Sequence, residues 1–343
     1  MVQEPQTSIL KSRGGTYTPF FSVDSYIPPP AGCCVNQIQR HGAWYPTSGA
    51  SKNIISAISK LQSAENYTDS HLDFLKTFEY TLGISDLVPF GAQQSSESGE
   101  LAFEHYADLI GASNLPFRVI DTANNWTAGF SAASNHVFNP SISVIISEAG
   151  NDTLDNNMCL NAGNSDTQTD TWLVVFAPSI TTRLNSAAPG ANISNDETYS
   201  LISMCPFHAV ATFVGYSMDL DTFYETRYGA PLGPVQGVGY INELLVRLTG
   251  TPVNDTTQTN RTLTQDTCTF PLDRALYADF SHDNEMRMTC TSGKSVHILV
   301  NDAVQPLEFC EGAKDGVCEL GAFVASQRYA QNGGNGDWDK CFA

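Results

Sequence analysis

Gln39-Arg40-His41-Gly42-Ala43-Trp44-Tyr45-Pro46-Thr47-Ser48-Gly49 lies between a short apolar run and an amphipathic stretch. Val35 to Ile38 before it predicts a strand. Residues 51–62 after it predict a helix, with Ile54, Ile55, Ile58 and Leu61 on one face and Ser51 as N-cap. Where a strand hands over to a helix, free backbone N–H groups and the positive end of the helix dipole converge, which favours an anion. Arg40 and His41 add a charge clamp and a nucleophilic imidazole there, and Gly42 lets the backbone come close to a ligand.

Outward from this junction, residues 71–112 read as helix-like, with Leu72, Phe74, Leu75, Phe78 and Leu82 at helical spacing as core positions. Ile142 to Ile146 reads as a buried strand. Trp172 to Phe176 reads as a strand from periodicity alone. Gly237 to Leu248 predicts a helix whose face is Val238, Ile241, Leu244, Leu245 and Leu248, stopped by Gly250. Gly237-Val238-Gly239 lacks the third glycine and the acidic residue of a dinucleotide loop. Leu276, Ala278 and Phe280 alternate with Tyr277 and Asp279, giving a strand that delivers His282-Asp283. Asp279 itself reads as an ordinary strand or turn residue. Val296 to Val300 is a further strand and Phe323 to Tyr329 the last helix. Residues 1–30, with Pro28-Pro29-Pro30, read as an extended arm. Alternating strands and helices argue an α/β class. Ligands in such sheets bind outside the strand carboxyl ends, so both His-containing motifs can face one pocket.

Arg40-His41-Gly42-Ala43-x-Tyr45-Pro46-Thr47-Ser48-Gly49 resembles the signature of the histidine acid phosphatases, in particular the secreted fungal phytases. Ser281-His282-Asp283-Asn284 resembles their second element, in the right order and at the right separation. Asn125 to Phe130, Leu232 to Tyr240 and Val300 to Leu307 look like basidiomycete-type phytase sequence, so the resemblance covers nearly the whole chain. It implies a mixed sheet flanked by helices with a smaller helical domain. Residues 31–62 and 115–343 would form the α/β domain and 63–114 part of the helical cap. It also implies a helix, not a strand, from Thr171 to Leu184. The implied chemistry gives each site residue a role. His41 attacks phosphorus and forms a phosphohistidine, which splits a very slow hydrolysis into two easier steps. Arg40, whose planar guanidinium matches two phosphate oxygens, acts with Thr47 and His282 to hold the phosphate. Asp283 protonates the leaving alkoxide. No metal and no cofactor is implied. The implied substrate is a small phosphate monoester, myo-inositol hexakisphosphate (phytate), attacked at acidic pH.

The chain departs from the family pattern at two arginines. Trp44 stands where a second motif arginine is expected. Pro116-Phe117-Arg118-Val119-Ile120-Asp121 replaces the Arg-Ala-x-Gly string that carries a third. Arg118 best matches a later Arg-Val pair, while an alignment that makes it the clamp stays open. The chain also runs too directly from Cys33 to Arg40, from His208 to Tyr228 and from Met286 to Cys290. It is roughly eighty to a hundred residues short of a complete member. Loss of one charge-stabilising donor costs about 10²–10³ in rate, and loss of an arginine clamp about 10³–10⁵. The competing expectation is therefore an impaired or inactive secreted glycoprotein, or an incomplete gene model, on the same fold. A phosphoglycerate mutase-like enzyme is a third reading. The Pro46-Thr47-Ser48-Gly49 continuation and the His282-Asp283 partner argue against it.

The formal net charge is −19 and the pI about 4.5, which argues against nonspecific nucleic-acid binding. A phosphate site must then be a local basic pocket, and Arg40 is one of only 17 Lys and Arg. No apolar run approaches a membrane span. Nine cysteines, with Asn-x-Ser/Thr sequons at Asn66, Asn125, Asn151, Asn192, Asn254 and Asn260, point to an oxidising, secretory setting. The start, Met1-Val2-Gln3-Glu4-Pro5, carries no apolar signal-peptide run. Similarity suggests Cys310 with Cys318, Cys159 with Cys341, and Cys33 or Cys34 with Cys290; Cys205 has no evident partner, and Cys268 stands where no cysteine is expected. No Cys/His spacing resembles a zinc site. The expectation is an extracellular, monomeric phosphatase with no nucleic-acid or membrane partner.

Overall fold

The computed structural model describes residues 26, 28–29, 33–110, 120–146, 150–155, 158–204, 212–252, 255–272, 274–282, 286–291, 295–300 and 302–343. The chain divides into two compact units. One takes in Ala43–Val88 and Asn164–Glu225; the other takes in Phe20–Gly42, Pro89–Gly163 and Thr226–Ala343.

The second unit holds the sheet. Its strands are β1 (Val35–Arg40), β2 (Leu276–Ser281), β3 (Met286–Thr291), β4 (Ser295–Val300) and β5 (Ala303–Val304), in the order β2-β1-β3-β4-β5. A two-residue β6 (Cys318–Glu319) pairs with β4. β1 and β2 are parallel, and the other pairings are antiparallel, so the sheet is mixed as expected.

Alternation along β1 and β2 sends one set of side chains to each face. Val35, Leu276, Ala278 and Phe280 meet Trp126 and Phe130 of α3 (Ile120–Ala133) and Ala102 and Tyr106 of α2 (Pro89–Tyr106). Those two helices cross at glycines. A Cβ on Gly99 would collide with the Trp126 carbonyl, and one on Gly129 with the Ser96 carbonyl. On the opposite face lies α7 (Val238–Thr249), stopped at Gly250 in the left-handed region at φ 66°. Its Leu244 and Leu245 pack with Val296 of β4, Leu307, Phe323 and the Cys310–Cys318 disulfide. Full burial of each such side chain stabilises by about 1.5–3 kcal/mol.

The first unit is helical. Its α1 (Ser48–Gln62), α4 (Asp166–Ala187), α5 (Asn195–Ile202) and α6 (Thr212–Glu225) are joined by a 3₁₀ stretch, Ser70–Thr77. Leu61, Ala64, Leu75, Ala188, Ala191 and Ile193 form its core. A full capping box starts α5: the Ser194 side chain and Glu197 serve each other's backbone N–H, and Glu197 also meets Lys60 at 2.7 Å.

Several local expectations change. Residues 142–146 form no strand. They have no ladder partner: Ile142 packs against the Trp126 cluster and Val144 is buried, while Ile145 is exposed. The helical pattern over 71–112 is two pieces, because residues 85–88 turn back to hydrogen-bond 43–46 and Pro89 then opens α2. α2 packs on the sheet, although residues 63–114 were expected in the cap. Thr47, not Ser51, caps α1, and Ser51 is buried inside it, accepting from the Tyr80 hydroxyl at 3.0 Å. Trp172 to Phe176 is helical. The last predicted helix breaks at Gln327 into Leu320–Ser326 and Arg328–Gln331, with a further turn at Asp337–Lys340. Cys159–Cys341 and Cys310–Cys318 are bonded as similarity suggested, and Cys268 is exposed and unpaired. Cys205 and the Cys290 side chain lie outside the described residues.

Candidate active site

β1 and β2 run in register from Val35 opposite Leu276 to Arg40 opposite Ser281. Two parallel strands that end on the same rung release their next residues side by side. Those residues are His41 and His282. The His41 N–H donates to the Ser281 carbonyl at 2.8 Å and adds one more rung. The two imidazoles meet edge to face, with centroids 5.5 Å apart and planes at 75°. Both rings are half-buried, as is Arg40 at the end of β1.

The geometry also selects a tautomer. His41 Nδ1 lies 2.8 Å from the Gly42 carbonyl oxygen. A carbonyl can only accept, so Nδ1 carries a proton, and in the neutral ring the lone pair lies on Nε2.

The turn after His41 is held from the apolar face. The Gly42 N–H donates to Thr122 Oγ1 at 3.2 Å, at the start of α3. A Cβ at Gly42 would collide with the Gly91 carbonyl and lie 2.8 Å from Ser95 Oγ, so only glycine fits. Gln39 Oε1 accepts from Ser98 Oγ at 2.6 Å and from Gln37 Nε2 at 2.9 Å. Both helices therefore grip the end of β1 through hydrogen bonds as well as through packing.

The other face under β2 is charged. Arg247 of α7 donates to both carboxylate oxygens of Asp279, at 2.5 and 3.1 Å, and Tyr240 adds its hydroxyl at 3.1 Å. Arg247 also lies over the rings of Phe270 and Tyr277 at 5.0 and 4.8 Å. Burial acts to lower the Arg247 pKa, but the facing Asp279 carboxylate outweighs it, and the guanidinium stays charged. Burial, then the Asp279 charge, pushes the Tyr240 phenol well up, so it remains a donor. Removing one partner of such a buried pair costs about 3–5 kcal/mol.

Of the residues singled out in the sequence, Arg40, His41 and His282 come together at the strand ends. Thr47 belongs to the helical unit. It is exposed, and its hydroxyl accepts from Ala50 N–H at 3.3 Å. Trp44, also in that unit, is half-buried and forms a β-bridge with Leu87. Asp283 and Arg118 lie outside the described residues. Sequence reasoning missed Thr122, Ser98 and the Arg247–Asp279 pair. The available signal for the pair was a carboxylate flanked by apolar residues inside a strand, together with an arginine near the buried stripe of α7. Among the described residues no group of His, Cys, Asp and Glu is arranged to hold a metal, and no helix is long and apolar enough to cross a membrane.

Known proteins share this architecture. The chain is 33% identical to Phytase A of Aspergillus fumigatus, covering 99% of this chain and 91% of the relative, and 34% identical to Phytase A of Aspergillus awamori, covering 96% and 90%. The first alignment runs over 431 residues although this chain has 343, so the relative carries internal stretches that this chain lacks. Among solved structures, the phytase from D. castellii superposes with a TM-score of 0.65 at 18% identity, covering 94% of this chain and 85% of that one. The Bifidobacterium longum multiple inositol polyphosphate phosphatase, solved with inositol hexasulfate, gives 0.55 at 13% identity, covering 92% and 97%. Residues 33–290 match one family throughout, and by that match and the relatives' identity the chain belongs to the histidine phosphatase superfamily, branch 2.

Proposed function

We propose that this chain is an acid phosphomonoesterase of phytase type that hydrolyses myo-inositol hexakisphosphate through a phosphohistidine. The observation that carries this reading is the shared rung on which β1 and β2 end, which sets His41 and His282 edge to face at the end of the strand that carries Arg40. His41 Nε2 attacks phosphorus as the ester P–O bond breaks. Asp283 gives its proton to the departing alkoxide. Water then attacks the phosphohistidine and gives a proton to the Asp283 carboxylate as the P–N bond breaks, which releases phosphate and restores both the imidazole and the acid. Arg40 and His282 supply donors that meet the charge on the phosphoryl oxygens. The relatives named Phytase A support the choice of substrate. The alternative of a silent chain draws on Trp44 and the absent third arginine and finds no support among the relatives. Two disulfides and the sequons favour an extracellular setting.

The test is phosphate release from phytate at about pH 5, within the acidic range suggested by the carboxylate reference values. The folded wild-type chain is run beside His41→Ala. Release that falls to background in the variant is the expected result. A folded wild-type chain that releases no phosphate overturns the proposal.

A further inference from the structure

The charged network on the α7 side of the sheet closes into a circuit around the end of β2. Asp279 of β2 is gripped by Arg247 and Tyr240 of α7. One turn before Arg247 on the same helix, the buried Glu243 accepts from Thr153 Oγ1 at 2.9 Å. The next residue in that loop, Leu154, offers its carbonyl to Ser281 Oγ at 2.8 Å. Ser281 is the last residue of β2, and His282 follows it. The path therefore leaves β2 at Asp279, crosses to α7, passes through the 153–154 loop and returns to β2 two residues later.

Each member is buried: Tyr240, Glu243, Arg247, Thr153, Asp279 and Ser281 all have less than a tenth of their surface exposed. Directional bonds in a dry setting fix angles that apolar packing leaves loose. A phosphate site needs such precision at His282, whose ring stands beside the proposed nucleophile. Pairing Asp279 with Arg247 also prevents a bare carboxylate from sitting three residues before a donor to a phosphate dianion.

We infer that Arg247, Tyr240 and Glu243 of α7, with Asp279, Thr153 and Ser281, are positioning residues that set the heading of His282 for phosphate. This inference rests on the proposed phosphatase reading. The circuit holds the backbone at Asp279 and Ser281, and His282 inherits a fixed exit direction. None of these six residues is itself proposed to touch substrate.

Tyr240→Phe and Thr153→Val each remove one hydroxyl while keeping the buried shape. In each variant kcat for phytate should fall about three- to tenfold, with KM held within about twofold, as expected for misaimed rather than missing groups. Arg247→Lys, which keeps the charge but loses the two-pronged grip, should lose more, and Arg247→Met more again. If Arg247→Met does not fold, the two hydroxyl variants decide the question. The histidine ring resonances of wild type, Tyr240→Phe and Thr153→Val are compared by NMR, with His282 assigned through His282→Asn. A shift or broadening at His282 and at His41, whose ring it touches, is expected, with the other histidine rings unmoved. Unchanged kcat and an unmoved His282 resonance in both hydroxyl variants, even with lowered thermal midpoints, would reduce the circuit to a structural role and overturn the inference. A wild-type chain without phosphatase activity sinks the proposed function instead, and the NMR comparison still judges the positioning claim.

Discussion

The two faces of the sheet under β2 are built from opposite materials. On the α2/α3 side, Leu276, Ala278 and Phe280 press on Trp126, Phe130 and Tyr106. On the α7 side, Asp279 meets Arg247 and Tyr240, and Arg247 lies over the rings of Tyr277 and Phe270. Apolar contact is strong and non-directional, so it holds the sheet against its helices without fixing side-chain angles. Charged hydrogen bonds contribute less net energy but constrain direction. The strand thus carries its stability on one face and its aim on the other. Changes to the two faces should separate stability from turnover.

The largest effect belongs to the apolar side. Trp126 is fully buried, stacked on Phe130 at 5.0 Å and edge-on to Phe280 at 5.9 Å. Trp126→Ala should cost about 3–5 kcal/mol of stability in urea unfolding. Turnover per folded molecule should stay near that of wild type, the reverse of the pattern expected for Tyr240→Phe. Equal losses of turnover in the two variants would erase the proposed division between the faces.

A smaller effect tests how closely that side is assembled. The α2–α3 crossing depends on Gly99 against the Trp126 carbonyl and Gly129 against Ser96. Gly99→Ala adds one methyl and should cost about 1–3 kcal/mol through overpacking, despite alanine's better helix propensity. A thermal midpoint at or above wild type would show that the helices can part at no cost.

These contrasts also explain what the sequence made legible. β1, β2, β4 and α7 were readable because alternation and helical spacing of apolar residues report burial directly, and Gly250 supplied a stop. The run at 142–146 misled because apolar side chains also serve loops that pack on a core. Residues 71–112 misled because hydrogen bonds between 43–46 and 85–88 join segments forty residues apart. His41 and His282 stood out through their motifs, but their closeness depends on strand register, which no local pattern encodes. Arg247 and Asp279 stayed hidden for a related reason. Each looks like a surface charge until the fold brings its partner across the sheet.

The smallest effect concerns the loop that continues from α7. Asp255 accepts from Thr257 N–H and Oγ1, from Thr259 N–H and from Asn242 Nδ2 of α7, all between 2.8 and 3.2 Å. Burial acts to raise its pKa, but the donors on Thr259 and Thr257 outweigh it, and the carboxyl sits below its ordinary 3.8. A depressed native pKa means that the unfolded chain takes up the proton first as pH falls. The stabilisation is therefore complete above 3.8 and drains away as pH drops through the lower native value. Asp255→Asn removes the charge and keeps one acceptor, so it should cost about 1 kcal/mol at about pH 6. The gap between variant and wild type should then narrow by about pH 3, read from urea midpoints at both values. A gap that widens on acidification would mean that the carboxylate is held against its donors rather than by them. The directional bonding assigned to the α7 side would then stop at Asp279.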